Sequence, residues 1–534
     1  MPEVIAAVAR NNGVIRPRVS IVKTLASGLC IGTGGSIGRE GPIVQIGSSL
    51  GSLGGQLLKL APQHVKVLVA AGISATFNAP LAGVIFASEI ILGNFAIASL
   101  TPVVIASVLA DVVQAQCRTE GFEPTFSQLH YTYLGTWAQL PSYVVLGLVC
   151  GLAAVGFTKL LYYVEDVSER RLPSWWLRAV VFGMLVGVMG VVYTATPPVV
   201  SPAAARVNER AGRPLPPLYG VGYDVVDHAL HLETQPPEDV ENQAVAARDK
   251  VVKLDTATML ADLWWLLPLV FLKPLATSLT LGGGGSGGVF APSLYMGAML
   301  GASFGIVCNV LVPQFSANPG VYAIVGMGAV VAGTTHGVLS AILIVYEMTN
   351  DYRIILPIMA AAGLSSIVAE FIDPDSVYFK KLKRRGEMIT RGHELHRLEH
   401  ITVRDIMVCD FPTVRNTDNV AGIVRVARAS PNIESLPVMN EDDQFVGIIH
   451  TEELHRVLDT PLSPQLVNAD DIATKAPVSV SPDANLIEAL YDFGLRDVES
   501  LPVEKGNGNS RKLVGLLLRS DVIRRYREEV LKSH

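Results

Sequence analysis

Long apolar stretches, separated by short glycine- and proline-rich breaks, dominate the chain as far as about Ile372. A helix that spans a membrane needs about 20 mostly apolar residues. Stretches of this kind predict a polytopic membrane protein with spans at Ala96–Ala115, Tyr143–Leu161, Leu177–Val199, Leu260–Leu281, Val289–Val312, Val321–Val345 and Ile354–Ile372.

The segment from Ile21 to Phe95 has a different pattern, in which shorter apolar runs are interrupted by glycine. Broken helices are tolerated at membrane depth only where they pack inside protein or line a cavity, as they do in transporters. The pattern therefore favours transport over simple anchoring. The polar, proline-rich loop Ala205–Lys250 is expected to lie outside the hydrocarbon.

Charged residues become dense after Ile372, where a short repeat also appears. Glu434-Ser-Leu-Pro-Val438 recurs as Glu499-Ser-Leu-Pro-Val503, and each copy combines helix-like stretches with short apolar strands. The strands are expected at Pro412–Val414, Phe445–Ile449, Val478–Val480 and Leu513–Leu518. Two tandem copies of about 60 residues predict an α/β soluble region. The fold class is thus an all-α polytopic membrane domain followed by an α/β pair, with boundaries at 1–386 (membrane domain), 387–402 (linker), 403–460 (first copy) and 461–534 (second copy).

Composition agrees with this division, since half of the 534 residues are hydrophobic and only 17% are charged. The net charge of −6 gives no indication of nucleic acid as a partner. The five cysteines are scattered without a CxxC pair, so no metal site is predicted. No catalytic constellation is predicted either, and we expect a transporter and not an enzyme. Basic residues at 380–385 directly follow the last span and indicate that the soluble region is cytoplasmic.

Two glycine-rich motifs carry the candidate chemistry. They are Gly34-Gly-Ser-Ile-Gly-Arg-Glu-Gly-Pro42 and Gly282-Gly-Gly-Gly-Ser-Gly-Gly-Val-Phe-Ala-Pro292, and each is followed by an apolar run. Because proline is favoured at the start of a helix, helices are predicted to begin near Pro42 and Pro292. The free N–H groups and positive dipole end of a helix bind anions. Such partial charges hold an anion weakly enough for it to leave again, as conduction requires.

Glu40 lies inside the first motif, and a carboxylate at membrane depth is costly enough to indicate function. It would compete with an anion for the same N–H groups, so that protonation or displacement would open the site. A second pattern is internal symmetry, because Asn78–Glu89 resembles His336–Glu347. Glu89 and Glu347 are predicted to be structural caps or interface residues.

The GREGP sequence at Gly38–Pro42, the GGVFAP sequence at Gly287–Pro292 and the region around Tyr378 resemble the CLC family of chloride channels and proton/chloride exchangers. The resemblance implies an inverted-repeat fold, a homodimer in membrane lipid with one pore in each subunit, and chloride or a similar anion as the transported ion. It implies that Glu40 is the gating residue. It also implies backbone contacts to the anion from Arg39, Gly41, Val289 and Phe290, together with the Tyr378 hydroxyl.

The tandem repeats resemble a pair of CBS domains, which often bind adenine nucleotides. The ligand aspartate of that pattern falls on Asp521 in the second copy but on Glu453 in the first. The serine or threonine expected three residues earlier is Leu518 or His450. Nucleotide binding and a purely structural or dimerising role both stay open.

Two departures from the family pattern affect the mechanism. Exchangers carry a glutamate where this chain has Ile90, and isoleucine cannot carry a proton, so a passive chloride channel is favoured and a proton-coupled exchanger is the alternative. A one-residue shift that made Glu89 the proton carrier would reverse this preference. The chain begins Met1-Pro2-Glu3, which resembles the second half of a third anion-binding loop of the form G-x-G-[IM]-P-E. On that resemblance, the first helices are expected to be missing.

Two further alternatives belong to other functional classes. One is an inactive truncated fragment that carries a regulatory CBS pair. The other is a cation transporter, which would need clusters of intramembrane carboxylates, and the sequence offers only the isolated Glu40, Glu89 and Glu347.

Overall fold

The structure, a computed structural model, describes residues 1–10, 13–60, 62–71, 79–93, 95, 97–117, 125–126, 139–195, 216–234, 252–254, 256–387, 401–429, 435–458, 467–475, 478–496, 498–505 and 512–531. It divides into two units, Met1–Arg391 and Gly392–His534, and each is described by itself. The exact boundaries predicted for the linker and the two repeats stay predictions.

The first unit is almost entirely helical, with one short parallel pair of strands, β1 (Leu232–Thr234) and β2 (Val252–Leu254). Its helices are α1 (Pro2–Arg10), α2 (Arg18–Gly32), α3 (Glu40–Leu57), α4 (Pro62–Ala71), α5 (Pro80–Phe86, continued by a π-helical turn at Ala87–Leu92), α6 (Ile97–Cys117), α7 (Leu140–Arg171), α8 (Trp175–Ala195), α9 (Tyr223–Leu230), α10 (Thr256–Gly282), α11 (Phe290–Leu311), α12 (Pro319–Thr335), α13 (Val338–Thr349), α14 (Ile355–Ile372) and α15 (Val377–Arg384).

The described residues include five helical segments that are long and apolar enough to cross a membrane. They are Leu140–Arg171, Trp175–Thr194, Met259–Gly282, Phe290–Leu311 and Tyr352–Arg384. Shorter apolar helices lie among them, as expected for broken helices packed inside protein. The part of the predicted span Leu177–Val199 beyond residue 195 lies outside the described residues.

The prediction of one continuous span over Val321–Val345 is wrong. The run divides into α12 and α13 at His336, which adopts a left-handed backbone with φ of 56°. The N–H of His336 bonds to the Ala332 carbonyl and closes α12. Residues on both sides are apolar, so hydropathy alone could not locate the break.

Helices α11 and α12 pack backbone to backbone. A Cβ added at Gly297 would overlap the main-chain carbonyl of Gly326, and a Cβ added at Gly326 would overlap that of Gly297. Small residues at membrane helix interfaces allow such close approach, which compensates for the weak hydrophobic driving force in lipid. This pair forms the centre of the membrane unit, and α11 is also the helix that begins at the second glycine-rich motif.

Substitution of Gly326 by leucine is therefore expected to destabilise the membrane unit by about 3 kcal/mol or more, because α11 and α12 must separate. Size-exclusion profiles and thermal unfolding of detergent-purified protein measure the loss. Gly363→Leu is the matched control, since a Cβ there meets nothing within 4 Å. Equal behaviour of the two variants would contradict the close-packing argument.

Of the loop Ala205–Lys250, which is predicted to lie outside the hydrocarbon, the structure describes residues 216–234, and part of this stretch is buried in protein. Leu218, Val226 and Leu230 are fully buried in the hydrophobic core of the membrane unit. The polar residues that dominated the loop pattern lie at 205–215 and 235–250, outside the described residues. An amphipathic helix with buried apolar residues, α9, is thus contained in a segment that reads as polar on average.

The second unit is α/β, as predicted. Its elements are β3 (Val414–Arg415), α16 (Val420–Ala429), β4 (Ser435–Met439), β5 (Phe445–His450), α17 (Thr451–Leu458), α18 (Ala469–Ile472), β6 (Thr474–Lys475), α19 (Leu486–Arg496), β7 (Ser500–Lys505), β8 (Lys512–Leu518) and α20 (Arg519–Leu531). The sheet order is β3-β4-β5-β6, with a separate antiparallel pair β7-β8. The expected strand at Val478–Val480 is reduced to a single bridge between Val480 and Val503.

The two repeats exchange segments. Val403, which precedes the first copy's strands, packs in the core of the second copy, while β6 from the start of the second copy pairs with β5 of the first. The repeated pentapeptides form β4 and β7, and the hydroxyls of Ser435 and Ser500 are hydrogen-bonded to each other. The repeat in the sequence is therefore also a pair of equivalent positions in space.

Candidate functional site

Each of the two glycine-rich motifs leads into the N-terminus of a helix, and the two N-termini lie side by side. Helix α3 begins at Glu40 after Arg39, and α11 begins at Phe290 after Val289. Both helices start two residues before the predicted prolines, so that Pro42 and Pro292 occupy the third helical position. Proline is tolerated there because the first-turn N–H groups have no partner within the helix.

A reciprocal pair of backbone hydrogen bonds holds the two motifs together. The Gly38 N–H donates to the Gly288 carbonyl at 2.9 Å, and the Gly288 N–H donates to the Gly38 carbonyl at 2.8 Å. A Cβ added at Gly288 would lie 2.8 Å from the backbone nitrogen of Gly41. Only glycine allows this approach, which places the first turns of α3 and α11 side by side.

Glu40 lies buried at this junction and is 2% exposed. Its Oε1 accepts a hydrogen bond of 2.7 Å from the Tyr223 hydroxyl. Its Oε2 is enclosed and makes no direct hydrogen bond within the described residues. The main-chain N–H groups of Glu40 itself and of Ala291, in the first turn of α11, both favour the negative charge on this carboxylate. The carboxylate thus occupies a position suited to an anion, between two helix N-termini.

A cavity of about 190 Å³ lies beside this junction. Gly41 from α3, Val289 and Phe290 from the start of α11, and Tyr378 from α15 line it. Six residues are predicted at the anion site, the gating Glu40 and five anion contacts, and the cavity brings together four of these contacts. Tyr378 is 5% exposed, so its side chain is largely enclosed by protein. Three basic residues line the same cavity, namely Lys23, Lys381 and Arg385.

The remaining two of those six residues, Arg39 and Glu40, do not line this cavity. The guanidinium of Arg39 lies over the ring of Tyr223, 5.5 Å from its centroid. Arg39 therefore contributes its backbone to the start of α3, while its side chain packs against the tyrosine that binds Glu40. The site thus has two groups of residues. One lines the cavity, and the other surrounds the Glu40 carboxylate.

The internal repeat of the membrane unit is confirmed by reciprocal caps. The Glu89 carboxylate accepts hydrogen bonds from the N–H groups of Leu339 and Ser340 in the first turn of α13. In the equivalent manner, Glu347 at the end of α13 accepts from the N–H groups of Leu81 and Ala82 in α5, at 3.1 and 2.6 Å. Both glutamates are structural caps, as the sequence indicated, and each stabilises the other half.

Ile90 is buried in the π-helical turn next to Glu89 and is 4% exposed. Its side chain packs against Gly337 at the break between α12 and α13, where an added Cβ would lie 2.8 Å from Ile90 Cδ1. The position at which exchangers carry a proton-transferring glutamate is thus filled by hydrocarbon. Both oxygens of the neighbouring Glu89 accept hydrogen bonds from the first turn of α13.

In the second unit, the candidate nucleotide ligands have protein partners of their own. Glu453 accepts from the His450 N–H at 3.1 Å and from the Thr474 hydroxyl at 2.9 Å. Asp521 pairs with Arg524 at 2.7 Å. These contacts explain both carboxylates structurally, and nucleotide binding stays an untested expectation.

Sequence reasoning missed two residues next to the site. Tyr223 begins α9 in the segment that reads as a polar loop, and Lys273 lies inside an apolar span. Lys273 is fully buried, and its ammonium donates to the carbonyls of Leu218 and Gly220 at 3.2 and 2.8 Å. The lysine in the middle of an apolar run was the available signal, because buried charges require dedicated partners.

Comparison with known families gives two matches. The family described as voltage-gated chloride channel matches residues 1–370, and the CBS domain matches twice, at residues 403–460 and 469–528. The first match contains every residue of the membrane-unit site discussed above except Tyr378, Lys381 and Arg385.

Several relatives extend this similarity. A ClcB-like chloride channel protein of Ralstonia nicotianae is 32% identical over 391 residues, which cover 71% of this chain and 79% of that protein. The H⁺/Cl⁻ exchange transporter ClcA of Salmonella typhimurium is 28% identical over 72% of each chain. Among solved structures, a slow cyanobacterial Cl⁻/H⁺ antiporter is similar with a TM-score of 0.51 and 26% identity, over 69% of this chain and 76% of that one.

Proposed function

Because the chain belongs to the voltage-gated chloride channel family, we propose that it transports chloride across the membrane, and that it does so as a passive channel gated by Glu40. The chain is an integral membrane protein of the CLC type with a CBS pair. The passive mechanism gated by Glu40 is proposed in addition to chloride transport itself.

The observation that carries the proposal is the position of the Glu40 carboxylate between the first turns of α3 and α11. Two helix N-termini supply partial positive charge at the junction, and the Arg39 guanidinium lies nearby over the Tyr223 ring. A carboxylate in that position competes with chloride for the positive electrostatic field of the two helix N-termini. An anion passes when Glu40 is protonated or displaced, and partial charges let the anion leave again.

Ile90 supports passive flow over coupled exchange. Coupling needs a second titratable group that hands a proton to the other side of the membrane, and this position is occupied by buried isoleucine. Exchange is kept as the second candidate, because two of the relatives above are named as Cl⁻/H⁺ exchangers or antiporters.

Reversal potentials of the purified protein in planar bilayers separate the two. Under opposed chloride and pH gradients, a passive channel is expected to reverse at the chloride equilibrium potential. A proton-coupled exchanger reverses at a different voltage and moves protons uphill when driven by chloride. Uphill proton movement that disappears in Glu40→Ala protein would contradict passive flow while supporting Glu40 as the central residue.

Several parts of the proposal concern assembly. A homodimer with one pore in each subunit fits the family, and analytical ultracentrifugation in detergent tests it. The basic side chains of α15 are consistent with a cytoplasmic second unit. We assign the chain no enzymatic activity. The second unit acts as a regulatory or dimerising domain, and adenine nucleotide is its candidate ligand.

A further inference from the structure

We propose that Tyr223 holds the gate of the pathway closed by donating its hydroxyl to the Glu40 carboxylate, which makes Tyr223 a positioning residue for gating. The inference rests on the proposed function of Glu40. It adds a second residue, from a different helix, that sets how readily Glu40 leaves its position.

The first support is the hydrogen bond itself. Tyr223 Oη lies 2.7 Å from Glu40 Oε1, and this is the one side-chain hydrogen bond that the structure records for the carboxylate within the described residues. Hydrogen bonds to charged acceptors are stronger than neutral ones. The donor therefore stabilises the charged, inserted carboxylate and disfavours its departure.

The second support is that the tyrosine ring is fixed from two sides. The Arg39 guanidinium lies over the ring, and the edge of Phe126 packs against it with centroids 5.8 Å apart. The backbone N–H of Phe126 is bound to the Met348 carbonyl. The donor is therefore held in place independently of Glu40, as a positioning residue requires.

The third support is the backbone that leads into Tyr223. The preceding residue, Gly222, has a φ of +85°, which disfavours any other residue, and an added Cβ there would lie 2.7 Å from the ring of Tyr295. The buried ammonium of Lys273 binds the carbonyls of Leu218 and Gly220, and it lies 4.9 Å from the centroid of Tyr295. The fully buried side chain of Lys273 thus fixes the turn that places the Tyr223 hydroxyl.

These contacts divide the gate into a fixed part and a movable part. Tyr223 is held by ring packing and by the clamped turn, whereas the Glu40 side chain is attached to it through one hydrogen bond. Opening then requires rotation of Glu40 away from the hydroxyl, without movement of α9. The Arg39 guanidinium lies over the Tyr223 ring, and the Lys273 side chain lies behind the turn at Gly222.

The test is Tyr223→Phe, which removes the hydroxyl and keeps the ring. Chloride efflux from liposomes near neutral pH is expected to rise about tenfold, the lower end of what a hydrogen bond to a charged group contributes. Combined with Glu40→Ala, the same substitution is expected to have no further effect, because no carboxylate is left to hold.

Tyr219→Phe is the matched control in the same turn. Its hydroxyl donates to the Gly187 carbonyl at 2.7 Å and makes no recorded contact with Glu40. Removing it is expected to leave efflux unchanged. If Tyr223→Phe protein does not fold, Tyr223→Met is tested instead, because it also lacks the hydroxyl. The same increase in chloride efflux is expected.

Three outcomes separate the possibilities. Wild-type efflux in Tyr223→Phe, together with altered efflux in Glu40→Ala, would overturn the role of Tyr223 and leave the gate intact. An equal increase in the Glu40→Ala background would overturn it as well, since the effect would then be structural. Wild-type efflux in Glu40→Ala would refute the gate itself.

Discussion

Replacement of Glu40 by alanine is expected to raise chloride flux near neutral pH by about tenfold or more, because it removes the carboxylate that occupies the junction of α3 and α11. The partial charges of the two helix ends stay in place, so an anion gains a position that the side chain held before. The variant is also expected to lose most of the pH dependence of the flux.

The sign of that pH dependence follows from the charge of the side chain. In the wild-type protein, protonation neutralises Glu40 and weakens its attraction to the helix N-termini. Flux is therefore expected to rise as pH falls, because protonation releases the side chain from the helix N-termini. Glu40→Gln retains the volume without the charge and is expected to give a nearly flat profile.

Glu89→Gln is the control for this prediction. Glu89 is also a glutamate of the membrane unit, but its oxygens cap α13 through Leu339 and Ser340. Its replacement is expected to lower thermal stability and to preserve the pH profile of chloride flux. An unchanged profile in Glu40→Ala, or a lost profile in Glu89→Gln, would contradict the assignment of the gate.

The helical membrane unit and the site motifs could be predicted because their signals are local. A glycine-rich approach followed by proline and an apolar run defines a helix start wherever it occurs, and both starts were located to within two residues. The strands predicted at Phe445–Ile449 and Leu513–Leu518 were found as β5 and β8 for the same reason, since strand and turn preferences act over a few residues.

Features that depend on contacts between distant segments could not be predicted. The break at His336 is coupled to Glu89, which lies more than 200 residues earlier and binds the first turn of α13. Tyr223 meets Glu40 only because Lys273 folds the intervening turn back into the core. Average polarity concealed α9, since its neighbours on both sides are polar.

The reciprocal caps explain why single glutamates recur in an otherwise apolar unit. A helix that ends inside a membrane protein leaves N–H groups without partners, and lipid cannot satisfy them. Glu347 accepts hydrogen bonds from the first N–H groups of α5, and Glu89 accepts them from those of α13, so each glutamate caps a helix of the other repeat. The starts of α3 and α11 have no side-chain cap of this kind, and the Glu40 carboxylate beside them accepts its one recorded side-chain hydrogen bond from Tyr223. That contrast distinguishes the transport site from the structural helix ends.

Substitution of Gly288 by alanine is expected to lower chloride flux by at least about tenfold, because the added methyl group would lie 2.8 Å from the Gly41 nitrogen, one of the predicted anion donors. Glu40→Ala removes the gate, whereas Gly288→Ala obstructs the pathway. The double variant is therefore expected to have the low chloride flux of Gly288→Ala. Gly363→Ala is the control, since its methyl group meets nothing within 4 Å. Efflux from liposomes containing folded, monodisperse Gly288→Ala protein measures the effect. Wild-type rates in that protein would mean that anions do not pass between the first turns of α3 and α11.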